Sequence, residues 1–228
     1  MGMGAGLSVA IDMSAPDLGL IGAEFNVPDQ FAYNGESEAR GKMFGRRSGK
    51  SSAQAVADRL HGWAVRQSRE PALYASMGVP DTVEGRFELL TLHIILLLER
   101  LRAVGPDDAP TAGALQQTLF DIFLSRLDGA MREMGVGDLA MGKRMRKLGE
   151  VFYGRARAYE SAFAASPSRD ELLDLVKRTL LADSPHADVS ALADHILRCR
   201  DRLSVIPTVD ILGGDATDRA AAPLIHAP

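Results

Sequence analysis

Asp81-Thr82-Val83-Glu84-Gly85-Arg86-Phe87-Glu88-Leu89-Leu90-Thr91-Leu92-His93-Ile94-Ile95-Leu96-Leu97-Leu98-Glu99-Arg100-Leu101 is the stretch that decides the fold class. Val83, Phe87, Leu90, Ile94, Leu97, Leu101 and, just beyond, Val104 recur at alternating steps of four and three, which is one continuous stripe on a helix. Leu89, Leu92 and Leu96 add a second apolar face, and a helix apolar on most sides belongs at the centre of a bundle. Asp81 stands where it can cap the helix, with Glu84 three residues on to reach back as in a capping box. Gly105-Pro106 stops it. The apolar run from Leu89 to Leu98 is interrupted by Thr91 and His93 and is too short to span a bilayer.

The same periodicity extends to both sides of this element. Upstream, Ser51-Ser52 open a helix carrying Val56, Leu60 and Trp63 that ends before Pro71, and Tyr74 to Val79 reads as a connector. Downstream, a loop from Pro106 to Gly113 precedes a helix from about Ala114 to Met134, closed by Gly135 and Gly137, with Asp138 able to cap the next element. That next helix, roughly 143–164, has two distinct faces. Met145, Leu148, Phe152, Ala156, Tyr159 and Phe163 share a narrow arc, while Lys143, Arg146, Lys147 and Arg157 lie opposite and Arg144 and Arg155 flank them. Ser168 with Glu171 signals a further helix through Leu181, and Leu192, Ile196, Cys199 and Leu203 mark a last one, about 188–204, that ends at Pro207. No segment alternates as a half-buried strand does. The expectation is an all-α chain: a disordered arm over 1–50, one multi-helix bundle domain over 51–207 and a short flexible tail over 208–228.

Composition agrees with a globular domain: 46% hydrophobic, 25% charged and 6% aromatic residues in 228. The net charge of −4 is unevenly placed. Residues 1–39 hold six carboxylates (Asp12, Asp17, Glu24, Asp29, Glu36 and Glu38) and no Lys or Arg, and the tail adds Asp215 and Asp218 against Arg219. The stretch between these acidic ends carries +3. The first residues have no positive n-region and their apolar residues are broken by Gly, Asp and Pro, which is not the pattern of a secretory signal. The arm reads as disordered, with upstream sequence ahead of a later start at Met43 as the alternative, and the default location is the cytoplasm.

Catalytic patterns fall short. Gly45-Arg46-Arg47-Ser48-Gly49-Lys50-Ser51 resembles a phosphate-binding loop but has three residues between its glycines where the motif needs four, so it reads as a basic linker. Among His61, His93, His186, His195 and His226, none has the spacing to glutamate that zinc hydrolases use, and His93, inside an apolar helix, reads as a core histidine with a hydrogen-bond partner. Glu84 and Glu88 lack a neighbour that would split their pKa values, so they read as a cap and as an ion-pair partner for Arg86 or another helix. The single cysteine, Cys199, excludes an intrachain disulfide and any Cys-rich zinc site, and no base stands beside it in sequence. The reading is a non-enzymatic protein without cofactor or metal. Lys143, Arg144, Arg146, Lys147, Arg155 and Arg157 form a candidate surface for phosphates of a nucleic acid or of lipid headgroups. Met131, Met134, Met141 and Met145 cluster around Asp138 as a candidate groove edge, with Met134 and Met141 the proposed contacts.

Two blocks carry a family resemblance. The first is Asp81-Thr82, then Arg86-Phe87-Glu88 and His93; the second runs through Gly137-Asp138, Gly142 to Lys147, Phe152-Tyr153-Gly154-Arg155 and Tyr159. Together, over roughly residues 55–165, they resemble the ubiquinol–cytochrome c chaperone family. The resemblance implies an assembly chaperone for the respiratory cytochrome bc complex, here a bacterial one. It would bind newly made cytochrome b at the cytoplasmic face of the inner membrane, with a small companion protein, a ribosome or an anionic membrane surface as further partners and no DNA. The alternative is a helical nucleic-acid-binding protein that uses the basic face of residues 143–157.

Overall fold

A computed structural model describes residues 52–164 and 169–213. The acidic arm, the phosphate-loop-like segment, the Ser168 cap and the chain after Gly213 lie outside the described residues. Eight helices, and no strand among the described residues, run in the order α1 (Ser52–Ser68), α2 (Pro71–Ala75), α3 (Val83–Arg102), α4 (Ala109–Glu133), α5 (Asp138–Ala164), α6 (Arg169–Thr179), α7 (Val189–Ser204) and α8 (Thr208–Gly213). The chain is all-α and forms a bundle.

Helix α3 is the axis and packs against α1, α4, α5 and α7. Leu89, Leu92, Ile94, Leu96, Leu97 and Leu101 are all at most 1% exposed. Burying one such side chain contributes about 1.5–3 kcal/mol, so α3 holds its neighbours by area alone. The stripe read from the sequence is displaced at its start: Val83 is exposed and Phe87 only half-buried, because the first turn of α3 projects past its neighbours. The cap is also a residue later than expected. Thr82, in extended conformation, accepts a hydrogen bond from the Gly85 amide at 3.1 Å, while the Asp81 carboxylate accepts from the Arg86 guanidinium at 2.6 Å. Gly85 belongs to this entrance, since a Cβ there would lie 2.1 Å from the Pro80 carbonyl oxygen.

Further boundaries differ from the sequence reading. The short helix α2 runs into the expected connector Tyr74–Val79, with Leu73 buried and the Tyr74 hydroxyl donating to the Ser68 carbonyl at 2.6 Å. Helix α4 starts at Ala109, inside the expected loop, because Pro110 sits in the first turn, where a missing N–H costs nothing. Helix α5 starts at Asp138 rather than 143, running through Gly142. The chain past Pro207, expected as a flexible tail over 208–228, is helical over its first six residues. It turns into α8, which buries Ile211 and is held where the Arg59 guanidinium donates to the Gly213 carbonyl at 2.7 Å.

Helix α7 is fastened to α3 at its far end. The Arg100 guanidinium donates to the carbonyls of Leu203, in the last turn of α7, and of Ile206, just beyond it. Asp188 caps its other end by accepting from the Ala191 amide at 3.0 Å.

Candidate functional site

The two sequence blocks meet in space. Glu88 on α3 and Arg155 on α5, 67 residues apart, form a bidentate pair: Arg155 Nε donates to Oε2 at 2.8 Å and Nη2 to Oε1 at 2.8 Å. The side chains are only 10% and 20% exposed, so the pair is a largely buried bolt between the two helices. Burial pushes the Arg155 guanidinium down, but the Glu88 hydrogen bonds and charge outweigh this and hold it above its ordinary value. Tyr159, one turn further along α5, is raised well above a free tyrosine by burial, with the Glu88 carboxylate adding to the effect.

Arg155 therefore does not belong to the exposed basic face. Lys143, Arg144, Arg146 and Arg157 are exposed or partly so, and Lys147 is half-buried. Lys143, Arg144, Arg146 and Lys147 form no ion pair with the described residues. Leu139, one turn before Lys143 on the same face, is fully exposed, and Met134 in the preceding turn is 58% exposed. The methionine cluster separates here. Met131, Met141 and Met145 are core residues, because they face inward on α4 and α5, and only Met134 is available at the surface. Gly137 and Asp138 form the α4–α5 turn, where Asp138 accepts from Arg132 at 2.6 Å.

Phe152 and Tyr153 sit with Phe120 and Phe123 of α4 in an aromatic cluster, ring centroids 5.0–5.5 Å apart across the α4–α5 contact. Phe120, Phe152 and Tyr153 of this cluster floor an open groove of about 430 Å³ between α3, α4, α5 and α7. Ile95 and Leu98 of α3 and Ala156 and Phe163 of α5 form its apolar walls. The incomplete burial of Leu98, Ala156 and Phe163 is thus explained: they line a space and do not close a core.

Charges form the rim. Arg102 and Glu160 pair at 3.1 Å between α3 and α5, and Arg200 of α7 pairs with Glu99 at 2.7 Å while its guanidinium lies 4.7 Å from the Phe163 ring centre. The Arg102–Glu160 pair is more than half exposed and contributes about 0–1 kcal/mol, so it opens at little cost. The groove walls are not legible in the sequence, because four helices separated by up to a hundred residues contribute to them. The one signal in the sequence is the all-round apolarity of α3, which leaves Leu98 unassigned to any partner.

On the opposite side of α3, His93 is fully buried, and its Nδ1 donates to the Leu89 carbonyl at 2.7 Å, as expected of a core histidine. Its Nε2 has no partner among the described residues, which costs about 1–3 kcal/mol. His195 and Cys199, one turn apart on α7, approach it, with Sγ 3.4 Å from His195 Nε2. Burial lowers both histidines to about 4 and raises the thiol to about 12, so all three are neutral at pH 7. No described helix is long and apolar enough to cross a membrane.

The model of the family described as ubiquinol-cytochrome C chaperone matches residues 75–219. A crystal structure of the Cbp3 homologue from Brucella abortus is 34% identical, with a TM-score of 0.64 over 72% of this chain and 88% of that one. No curated protein matches the chain. The match spans both sequence blocks, the Glu88–Arg155 bolt that joins them and the groove beside it, and the chain belongs to the ubiquinol–cytochrome c chaperone family.

Proposed function

We propose that this protein is a non-enzymatic assembly chaperone that holds newly made cytochrome b by an apolar segment laid into the groove between α3 and α5. The observation that carries the reading is the groove itself: an aromatic floor left open beside the buried core of the bundle. Its volume of about 430 Å³ suits the anchor side chains of one amphipathic or apolar helix, the usual scale of a recognition pocket. The exposed Arg102–Glu160 pair on the rim is weak enough to part for such a segment, which frees its carboxylate to meet the Lys- and Arg-rich cytoplasmic loops that flank it.

The outer face of α5 fits a second task for the same protein. Lys143, Arg144 and Arg146 stand beside exposed Leu139 and Met134, a combination suited to the headgroup layer of an anionic membrane. That arrangement would keep a cytoplasmic protein peripheral on the inner membrane, where the client inserts. A nucleic acid would use the cations but not the apolar pair, so the lipid reading of this face is preferred over ribosomal RNA or other nucleic acid.

Deleting the gene should lower cytochrome b and the assembled bc complex together, with restoration by the wild-type chain. The variant Leu98→Asp, folded by circular dichroism, should fail to restore them. Full restoration by that variant would remove the groove from the mechanism, and normal complex levels in the deletion would remove the function.

A further inference from the structure

The buried face of α3 and α7 carries a group of side chains that the chaperone role does not use. His93, His195 and Cys199 each present one donor atom, and the three lie within 4.8 Å of one another, at most 1% exposed. His195 and Cys199 are four residues apart on one helix and so share a face, the spacing that lets two side chains chelate a single ion. Their 3.4 Å separation is a little under the roughly 3.6–3.8 Å between a nitrogen and a sulfur sharing one three-coordinate metal. His93 supplies an independent sign. Its Nδ1–H is fixed on the Leu89 carbonyl, which leaves the Nε2 lone pair directed inward and unpartnered among the described residues. A hydrogen bond from the other ring nitrogen to a backbone carbonyl is how metal-binding histidines are oriented.

We propose that His93, His195 and Cys199 form a binding site for a soft monovalent transition metal, Cu(I), pinning α7 to α3. Charge selects the ion. One thiolate and two neutral imidazoles around Cu(I) sum to zero, whereas Zn(II) would leave a net positive charge in an apolar interior where Arg198 and Arg202 already raise the potential. Softness agrees, since thiolate with imidazole favours Cu(I), which accepts three ligands. Zinc on these three residues would need a water as its fourth ligand, inside a site whose members are at most 1% exposed. Binding exchanges the thiol proton for the metal: the S–H bond breaks, an S–Cu bond forms and the proton leaves to solvent, with no change of oxidation state. Loading is slow, because α7 must lift from α3 to admit the ion.

The test uses the full-length chain, stripped of metal and kept anaerobic. It is equilibrated over hours with Cu(I) buffered by bicinchoninate, then passed over a desalting column. The expected result is one copper per chain, with an X-ray absorption spectrum fitted by one sulfur and two nitrogens. Cys199→Ala and His195→Gln, each checked for folding, should weaken binding by about 100-fold or more. If either variant does not fold, the wild-type ligand set decides alone. Failure to retain copper, copper bound without sulfur, or displacement of copper by equimolar zinc would each overturn the assignment.

Discussion

Replacing Glu88 by Gln tests the bolt between the two sequence blocks. The substitution keeps shape and hydrogen-bonding capacity but leaves the Arg155 guanidinium 20% exposed and without its countercharge. Breaking a fully buried pair from one side costs about 3–5 kcal/mol; the residual exposure here admits some water, which brings the figure to about 2–4 kcal/mol. Arg155→Met should cost a similar amount, because it strands the carboxylate while keeping an apolar stem. The double variant Glu88→Leu/Arg155→Met removes both charges and should fall within about 1 kcal/mol of wild type. Urea unfolding of wild type, Glu88→Leu, Arg155→Met and their double variant closes the cycle, with Glu88→Gln as the shape-preserving single variant. Thermal melts should show drops of roughly 2–4 °C per kcal/mol in the single variants. Single variants within about 0.5 kcal/mol of wild type, or a double variant costing the sum of the two, would refute the claim that this pair joins α3 to α5.

The histidines His93 and His195 are held neutral by burial at values near 4, below their ordinary 6.5, so between those limits the unfolded chain binds more protons. Stability should therefore be complete above about pH 6.5 and fall as pH drops toward 4, by up to about 2.7 kcal/mol per pH unit for two protons, and a flat urea midpoint across that window would contradict it. Reversing Lys143, Arg146 and Lys147 to Glu should abolish sedimentation with anionic phosphatidylglycerol vesicles while leaving the melting temperature unchanged, and undiminished sedimentation would remove the basic face from membrane binding.

Much of the fold is written in local pattern, and the exceptions have physical causes. The apolar period over 89–101 specifies the central helix, and the arc from Met145 to Tyr159 specifies the inward side of α5. Asp81 is the better capping type and Thr82 an acceptable one, so local preference points to the wrong residue; the Arg86 side chain engages the Asp81 carboxylate and Thr82 takes the cap. Pro110 looks like a breaker, although the first helical turn tolerates it. Glu88 does serve in an ion pair, but its partner lies 67 residues away, beyond any helical spacing. Met141 and Met134 are alike in sequence, and only the three-dimensional placement of α5 makes one core and the other surface. The His195–Cys199 spacing is visible in the sequence, but His93, which gives it meaning, is brought to it only by the contact of α3 with α7.

The central claim is that an apolar part of cytochrome b lies in the groove between α3 and α5. A photo-activated crosslinker placed at Ala156, on the groove wall, should capture newly synthesised cytochrome b, while the same group at exposed Lys177 on α6 should not. Equal capture at both positions, or none at Ala156 in cells that assemble the complex, would contradict the account.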